Sequence, residues 1–333
     1  MPPAPKSRPA FPSPAAVLPG EADILAKVIE NLADHDAKLV YADWLEERGD
    51  PRGPMLREFV TAYRAGKKLP KVADAPKPWR DLVGVTLIEE ARKKKVASYM
   101  DSLLRLARPA LTFELVRTPE TKLAIGVTKL GGRPDLPLGT KWPKYRRKPL
   151  AFLAQFDLGE LNASPVCREL PATGLMSVFY AASGEVFDNS DKGGWVVFHF
   201  PDTPRLTRQE FPEELAKEDR FRSCRASLTE ILTLPERESP WKGELPPEPV
   251  ADEEDTYRGL TEDNGLSHRL LGYASSLQRD VHGRKTIRHL LTLDSDSSPG
   301  WMWGDAGLLY FTIRDDYLQQ HRFDRVRFEM QCC

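Results

Sequence analysis

Cysteine is scarce in this chain, with four in 333 residues, and Cys167, Cys224, Cys332 and Cys333 form neither a Cys-x-x-Cys pair nor a disulfide framework. That spacing predicts a protein of the reducing cytoplasm. Net charge is nearly absent: 48 basic side chains face 49 acidic ones, a formal charge of -1, so no global field draws the chain to nucleic acid or an anionic membrane. No stretch approaches the ~18 consecutive apolar residues of a membrane span. The start, Met1 to Pro14, is broken by prolines and reads as a flexible tail rather than a signal peptide. Catalytic signatures are missing too. There is no phosphate loop, no Gly-x-Ser-x-Gly elbow, no His-Glu-x-x-His and no His or Cys pair at zinc spacing, so no cofactor is expected.

What is present has the composition of a globular protein, 41% hydrophobic and 29% charged, with 29 prolines that point to extended loops. Ile24, Leu25, Val28 and Leu32, then Leu39, Val40, Trp44 and Leu45, form two helical stripes, and Met55, Phe59 and Tyr63 suggest a third helix. From Ala65 to Gly84 the chain is polar and interrupted by Pro70, Pro76 and Pro78, the composition of a semi-stiff linker. A helix is expected from Thr86 to Arg108, closed by Pro109. Strand-like runs follow at 111–116, 150–156, 175–180, 195–200, 290–293, 308–313 and 326–330. A long proline-rich loop over 235–265 carries the acidic run Asp252–Asp255.

Two parts of this β-rich region echo each other. Leu130-Gly131-Gly132, Phe152 to Asp157 and Gly174 to Phe179 run in the same order as Leu271-Gly272-Tyr273, Leu290 to Ser295 and Gly307 to Thr312. The expected fold is α+β, a small helical N-terminal module plus a β-rich domain with an internal duplication of a sheet unit. The division is a tail over 1–20, a helical module over 21–65, a linker over 66–85 and the α+β domain over 86–333.

The run Lys38-Leu-Val-Tyr-Ala-Asp-Trp-Leu-Glu-Glu-Arg-Gly-Asp-Pro51 resembles the signature of the repeat-companion domain, a short helical module of planctomycete and some other bacterial proteins. That resemblance implies no catalysis, and Asp43, Glu46 and Glu47 read as a solvated helix edge. From about Thr86 to Cys333 the chain resembles the YwqG-like family, a bacterial domain of unknown function. The likeness rests on Lys129 to Pro137, Lys141-Trp-Pro143, Leu150 to Leu158, His268 with Leu271-Gly272-Tyr273, Trp303 to Gly307, and Gln331-Cys332. It implies a β-rich α+β fold and no established reaction.

The candidate residues divide by chemistry. Trp301-Met-Trp-Gly-Asp-Ala-Gly307 puts two tryptophans beside a carboxylate, either as a pocket floor or as a glycine turn in which Asp305 bonds backbone amides. Trp142, Gln155, Trp301, Trp303 and Asp305 are therefore the binding candidates. Asp294 and Asp296 share a face of an extended chain and, with Asp305, compose an alternative metal set. His268, Asp294 and Asp305 are the residues an enzyme or small-ligand site between the two sheet halves would use, with His268 as general base. Lys141, Lys144, Arg146, Arg147 and Lys148, interleaved with Trp142 and Tyr145, form the one dense basic patch with aromatics. The favoured reading is a non-enzymatic interaction protein that binds a protein partner through exposed loops; nucleic acid and membrane are not expected partners.

Overall fold

The computed structural model describes residues 14–203, 205–247, 257, 260 and 268–332; residues 1–13 of the expected tail, the acidic run Asp252–Asp255 and Cys333 lie outside them. Helices α1 (Glu21–Glu30), α2 (His35–Glu46) and α3 (Arg52–Arg64) follow the three sequence stripes. Asp34 caps α2 by accepting from the amides of Asp36 and Ala37, and it stops the chain from running on out of α1.

The segment expected as a linker is not a tether. It contains α4 (Lys77–Leu82), with Pro78 in the first turn, where a missing amide hydrogen leaves no bond unmade. Trp79 and Leu82 are fully buried, the Trp79 indole N–H donates to the Tyr41 hydroxyl at 2.9 Å, and the helices share one apolar core with the sheet. The prolines that read as punctuation start a helix here. The long helix expected over 86–108 is likewise two, α5 (Val85–Lys93) and α6 (Met100–Leu106), separated where Lys95 adopts a positive φ of 59°.

Residues 14–20, expected to belong to a free tail, are docked. The Ala15 amide donates to buried Glu230 and its carbonyl accepts from Arg52 at 3.0 Å, while the Val17 and Leu18 amides donate to Glu21 at 2.8 Å each. Backbone polar groups satisfied in this way hold an otherwise proline-broken segment against the core.

Strands β1 (Arg108–Arg117), β2 (Lys129–Leu130), β3 (Asp135–Pro137), β4 (Lys144–Tyr145), β5 (Lys148–Pro149), β6 (Ala151–Asp157), β7 (Leu175–Tyr180), β8 (Trp195–Phe200) and β9 (Leu206–Arg208) compose the first part of the β region. The second part holds β10 (Cys224–Thr233), β11 (Arg269–Leu270), β12 (Ile287–Asp294), β13 (Leu308–Arg314) and β14 (Arg327–Gln331). Ten of them form one antiparallel sheet in the order β14-β13-β12-β11-β1-β10-β2-β6-β7-β8. The fold is α+β.

That order is symmetric about the β1–β10 pair, whose ten residues match from Arg108↔Thr233 to Arg117↔Cys224. Each half opens with a long strand that pairs into the other half's sheet: β1 beside β11, and β10 beside β2. Both halves bulge at the same place, Leu153 in β6 and Leu290 in β12. In both, the carbonyl at the bulge accepts a backbone amide, from Gly131 at 2.7 Å and from Leu271 at 2.9 Å. The φ values match as well, 63° and 72° for Gly131-Gly132 against 63° and 71° for Leu271-Gly272. The duplication is therefore real, but Gly131-Gly132 corresponds to Leu271-Gly272, one residue earlier than the sequence comparison places it. Leucine occupies a left-handed position there at a strain of roughly 1–2 kcal/mol, which removes the glycine that would have marked the register.

Candidate functional site

Strand β12 ends at Asp294, and the turn that follows is built by serine rather than by Asp305. The Ser295 hydroxyl donates to the Gly307 carbonyl and accepts the Trp303 amide, both at 2.9 Å. Asp296 accepts the Ser298 amide at 2.6 Å, and its own carbonyl takes the amides of Gly300 and Trp301. This folding turns Trp301 and Trp303 inward until they are 2% and 3% exposed, their rings 5.5 Å apart with Phe221 edge-on to both. The Trp303 indole donates to the Asp294 carbonyl at 3.2 Å; the Trp301 indole nitrogen is buried without a partner among the described residues.

His268 is held on every side. Its ring stacks on Phe113 at 5.4 Å and meets Trp301 edge-on at 5.7 Å. Nδ1 accepts the Asp294 amide at 3.0 Å, which in the neutral ring places the proton on Nε2, 3.2 Å from an Asp296 carboxylate oxygen. The hydrogen bond from His268 is the main reason the Asp296 carboxyl is pulled down to about 2, while burial pushes Asp294 upward. A general base needs a free lone pair directed at a substrate, and the lone pair of His268 is already spent on the backbone. The histidine clamps the end of β12 to the start of β11.

The structure thus brings His268, Asp294, Asp296, Trp301 and Trp303 together, but Asp305 stands exposed at the tip of the turn with no hydrogen bond or ion pair among the described residues. The carboxylate expected to tie down the turn amides does not; Ser295 has that role. Nor do Asp294, Asp296 and Asp305 converge, and among the described residues no group of three His, Cys, Asp or Glu side chains could hold a metal ion. Asp305→Ala is accordingly expected to leave stability within about 0.5 kcal/mol of wild type, the range of ordinary surface substitutions. Paired urea melts measure this, and a loss above about 1 kcal/mol would restore the carboxylate to the turn.

Gln155 lies in the other half and is fully buried. Its carbonyl accepts the Asp135 amide, and its amide group donates to the Val127 carbonyl and to the Asp135 carboxylate, all at 2.9 Å. Asp135 is also met by the Lys129 ammonium at 3.2 Å, by Arg208 at 2.8 Å and by the Gly126 amide at 3.0 Å. Burial alone would raise the Asp135 carboxyl, yet Arg208, Lys129 and these amides together hold it below its ordinary value. Burial lowers the Lys129 ammonium to about 8 against the attraction of Asp135. The matching position in the second half is Arg269, which donates to the Tyr273 carbonyl at 2.8 Å and to Ser275 at 3.2 Å. Sequence reasoning missed this cluster, although Lys129 and Asp135 both lie in the run Lys129 to Pro137. The available signal was a lysine inside a strand otherwise bound for the core.

A family model described as a domain of unknown function (DUF1963) matches residues 128–332, more than half of the chain. The chain belongs to the DUF1963 family. The YwqG-like resemblance is consistent with that family. No curated protein matches the chain.

The DUF1963 domain also carries the β4–β5 hairpin, whose basic side chains are exposed. Arg146 and Arg147 form its two-residue tip at φ 48° and 70°. Two left-handed residues suit a tight hairpin, but Asn and Gly are the usual occupants, and arginine there is strained by roughly 1–2 kcal/mol per residue. Lys141, Lys144, Arg146, Arg147 and Lys148 are all exposed. Among the described residues the nearest opposite charge in this group is Glu214, 3.8 Å from Lys144. Trp142 is the foot of the hairpin. Its indole donates to the Leu150 carbonyl at 2.8 Å, and its ring packs edge-on against Phe179 and Phe211.

Proposed function

We propose that the protein is a non-enzymatic interaction protein that grips an acidic segment of a protein partner through the hairpin at 141–148. The carrying observation is the tip itself: strained arginines at both turn positions, flanked by lysines that among the described residues meet only Glu214, 3.8 Å from Lys144, and the field of Asp219 on Lys148. Strain of this kind persists where the side chains it presents are useful. Trp142 and the aromatic cluster beneath it give the hairpin a rigid base. The engaged ring of His268 supports a binding role over acid–base catalysis. The two sheet halves meet along a continuous strand pair rather than across a cleft, which disfavours an enzyme site between them.

The helical module, as a repeat-companion domain of the bacterial type, is an accessory that stiffens the whole. A cytoplasmic location fits the free thiols of Cys167, Cys224 and Cys332, and no helix among the described residues is long and apolar enough to cross a membrane.

Reversing Lys144, Arg146, Arg147 and Lys148 to glutamate is expected to weaken binding of a fluorescent polyglutamate peptide by about tenfold or more, since each exposed pair contributes roughly 0.2–1 kcal/mol. Wild-type affinity should also fall as salt is raised. Affinity capture with both forms as bait should recover an acidic protein with wild type only. Equal retention by the reversed form, or tighter binding of a single-stranded RNA than of the peptide at the same salt, would overturn the reading.

A further inference from the structure

Helices α2 and α3 face α5 and α6 across an open groove of about 410 Å³, the volume of a small-molecule site. His35, Tyr63, Arg64, Arg92 and Met100 line it. The His35 and Tyr63 rings lie 5.0 Å apart, and the Arg92 guanidinium sits 5.6 Å from the Tyr63 ring centre. Arg92 has no carboxylate within ion-pair distance among the described residues, whereas Arg64 is paired with exposed Asp36 at 2.7 Å.

A narrow slot shares His35 and Tyr63 with this groove and contains Lys38. Lys38 is 1% exposed, yet its ammonium has neither a hydrogen bond nor an ion pair among the described residues. Around it are the apolar side chains of Leu56, Phe59 and Val83. A buried cation opposed by a single carboxylate, Asp34, among the described residues is costly, and an anion bound nearby would offset that cost. Among the described residues the acidic groups acting here are Asp36, paired with Arg64, Asp34, which acts on Lys38 and His35, and Asp101, which acts on His35 and Tyr63.

We infer that this groove binds a small phosphate monoester with an aromatic or apolar body, its phosphate held by Arg92 and Arg64 and its body laid against Tyr63, His35 and Met100. Arginine forks match phosphate oxygens in pairs, and an aromatic wall accepts a planar group face-on. Lys38 shares the adjoining slot with His35 and Tyr63 and adds positive potential in a low-dielectric setting, where it is weakly screened. Burial lowers its ammonium to about 7, so a bound dianion would draw a proton onto it, and binding should weaken as pH rises above neutrality.

Phenyl phosphate is the probe, titrated calorimetrically into the full chain beside inorganic phosphate and phenol. Phenyl phosphate should bind more tightly than inorganic phosphate, and phenol should give no heat. Arg92→Glu should weaken phenyl phosphate at least tenfold, and the Arg64→Glu, Arg92→Glu pair should abolish binding; both positions are exposed, so melts should confirm an intact fold. The hairpin-reversed form should bind phenyl phosphate as wild type does, which separates this site from the partner surface. Absence of phenyl phosphate binding, equal affinity for inorganic phosphate, or undiminished binding by the double variant would overturn the inference.

Discussion

Asp135→Ala is expected to destabilise the domain by about 3–5 kcal/mol, the effect of breaking a buried ion pair by removing one partner. Lys129 and Asp135 are both fully buried, and Arg208 is nearly so. Without the carboxylate, two cations face each other across a dry space, and the Gly126 amide and the Gln155 amide group each lose an acceptor. Each orphaned donor adds roughly 1–3 kcal/mol of desolvation, though the terms overlap and do not sum. Urea unfolding at neutral pH reads the loss directly. Lys129→Met placed on the Asp135→Ala background should recover part of it, because the uncompensated charge leaves with the lysine. The pH dependence has a definite sign. The folded carboxyl titrates below its ordinary 3.8, so its contribution is complete above 3.8 and disappears as pH falls through the lower folded value. The gap between wild type and Asp135→Ala should therefore close in strong acid. A variant within about 1 kcal/mol of wild type at neutral pH would mean that the cluster is no net support to the fold.

Lys38→Met should act in the opposite direction and stabilise the protein, by roughly 2–4 kcal/mol near pH 6. Burial lowers the ammonium from 10.5 to about 7, and only Asp34 opposes that shift. A drop of this size corresponds to at most about 5 kcal/mol. Below pH 7 lysine is charged in both the folded and unfolded states, so the full penalty of burying the charge is present. Between about 7 and 10.5 the folded lysine is neutral while the unfolded one is charged, so the penalty shrinks as pH rises. The stabilisation by methionine should accordingly be largest at pH 6 and small by pH 10, and phenyl phosphate affinity should fall in the same variant. Methionine has the length and flexibility to fill the slot. Melts at the two pH values decide it: an unchanged or lower midpoint at pH 6 would show that the ammonium is well solvated after all.

Parts of this architecture were legible because period and burial coincide. Strands at 175–180 and 195–200 fall where the apolar runs place them, and three amphipathic stripes become α1, α2 and α3. β10 did not announce itself, although it is central to the sheet and ten residues long. Ala226, Ser227, Thr229 and Glu230 break its apolar pattern, and Glu230 is tolerated inside because the Ala15 amide and the Ser164 hydroxyl meet its two oxygens. Those partners lie far away in sequence, beyond the reach of any local pattern.

Sequence alone determined the α+β class, the ordered repeat and the basic patch at 141–148, because these depend on periodicity, turn residues and charge at neighbouring positions; that the patch is a hairpin came from the structure. It also marked the residues around His268 and Trp301 as unusual. Only the tertiary structure decided that Trp301 and Trp303 face inward, that Asp305 faces solvent, and that prolines near Trp79 begin a helix rather than a tether. It alone brought Lys129, Asp135, Gln155 and Arg208 into one buried cluster and buried Lys38 among apolar side chains with Asp34 as the opposing charge among the described residues. A charged residue reads as surface until its desolvation is set against the groups that surround it, and those groups are assembled by strand order and helix packing across the whole chain.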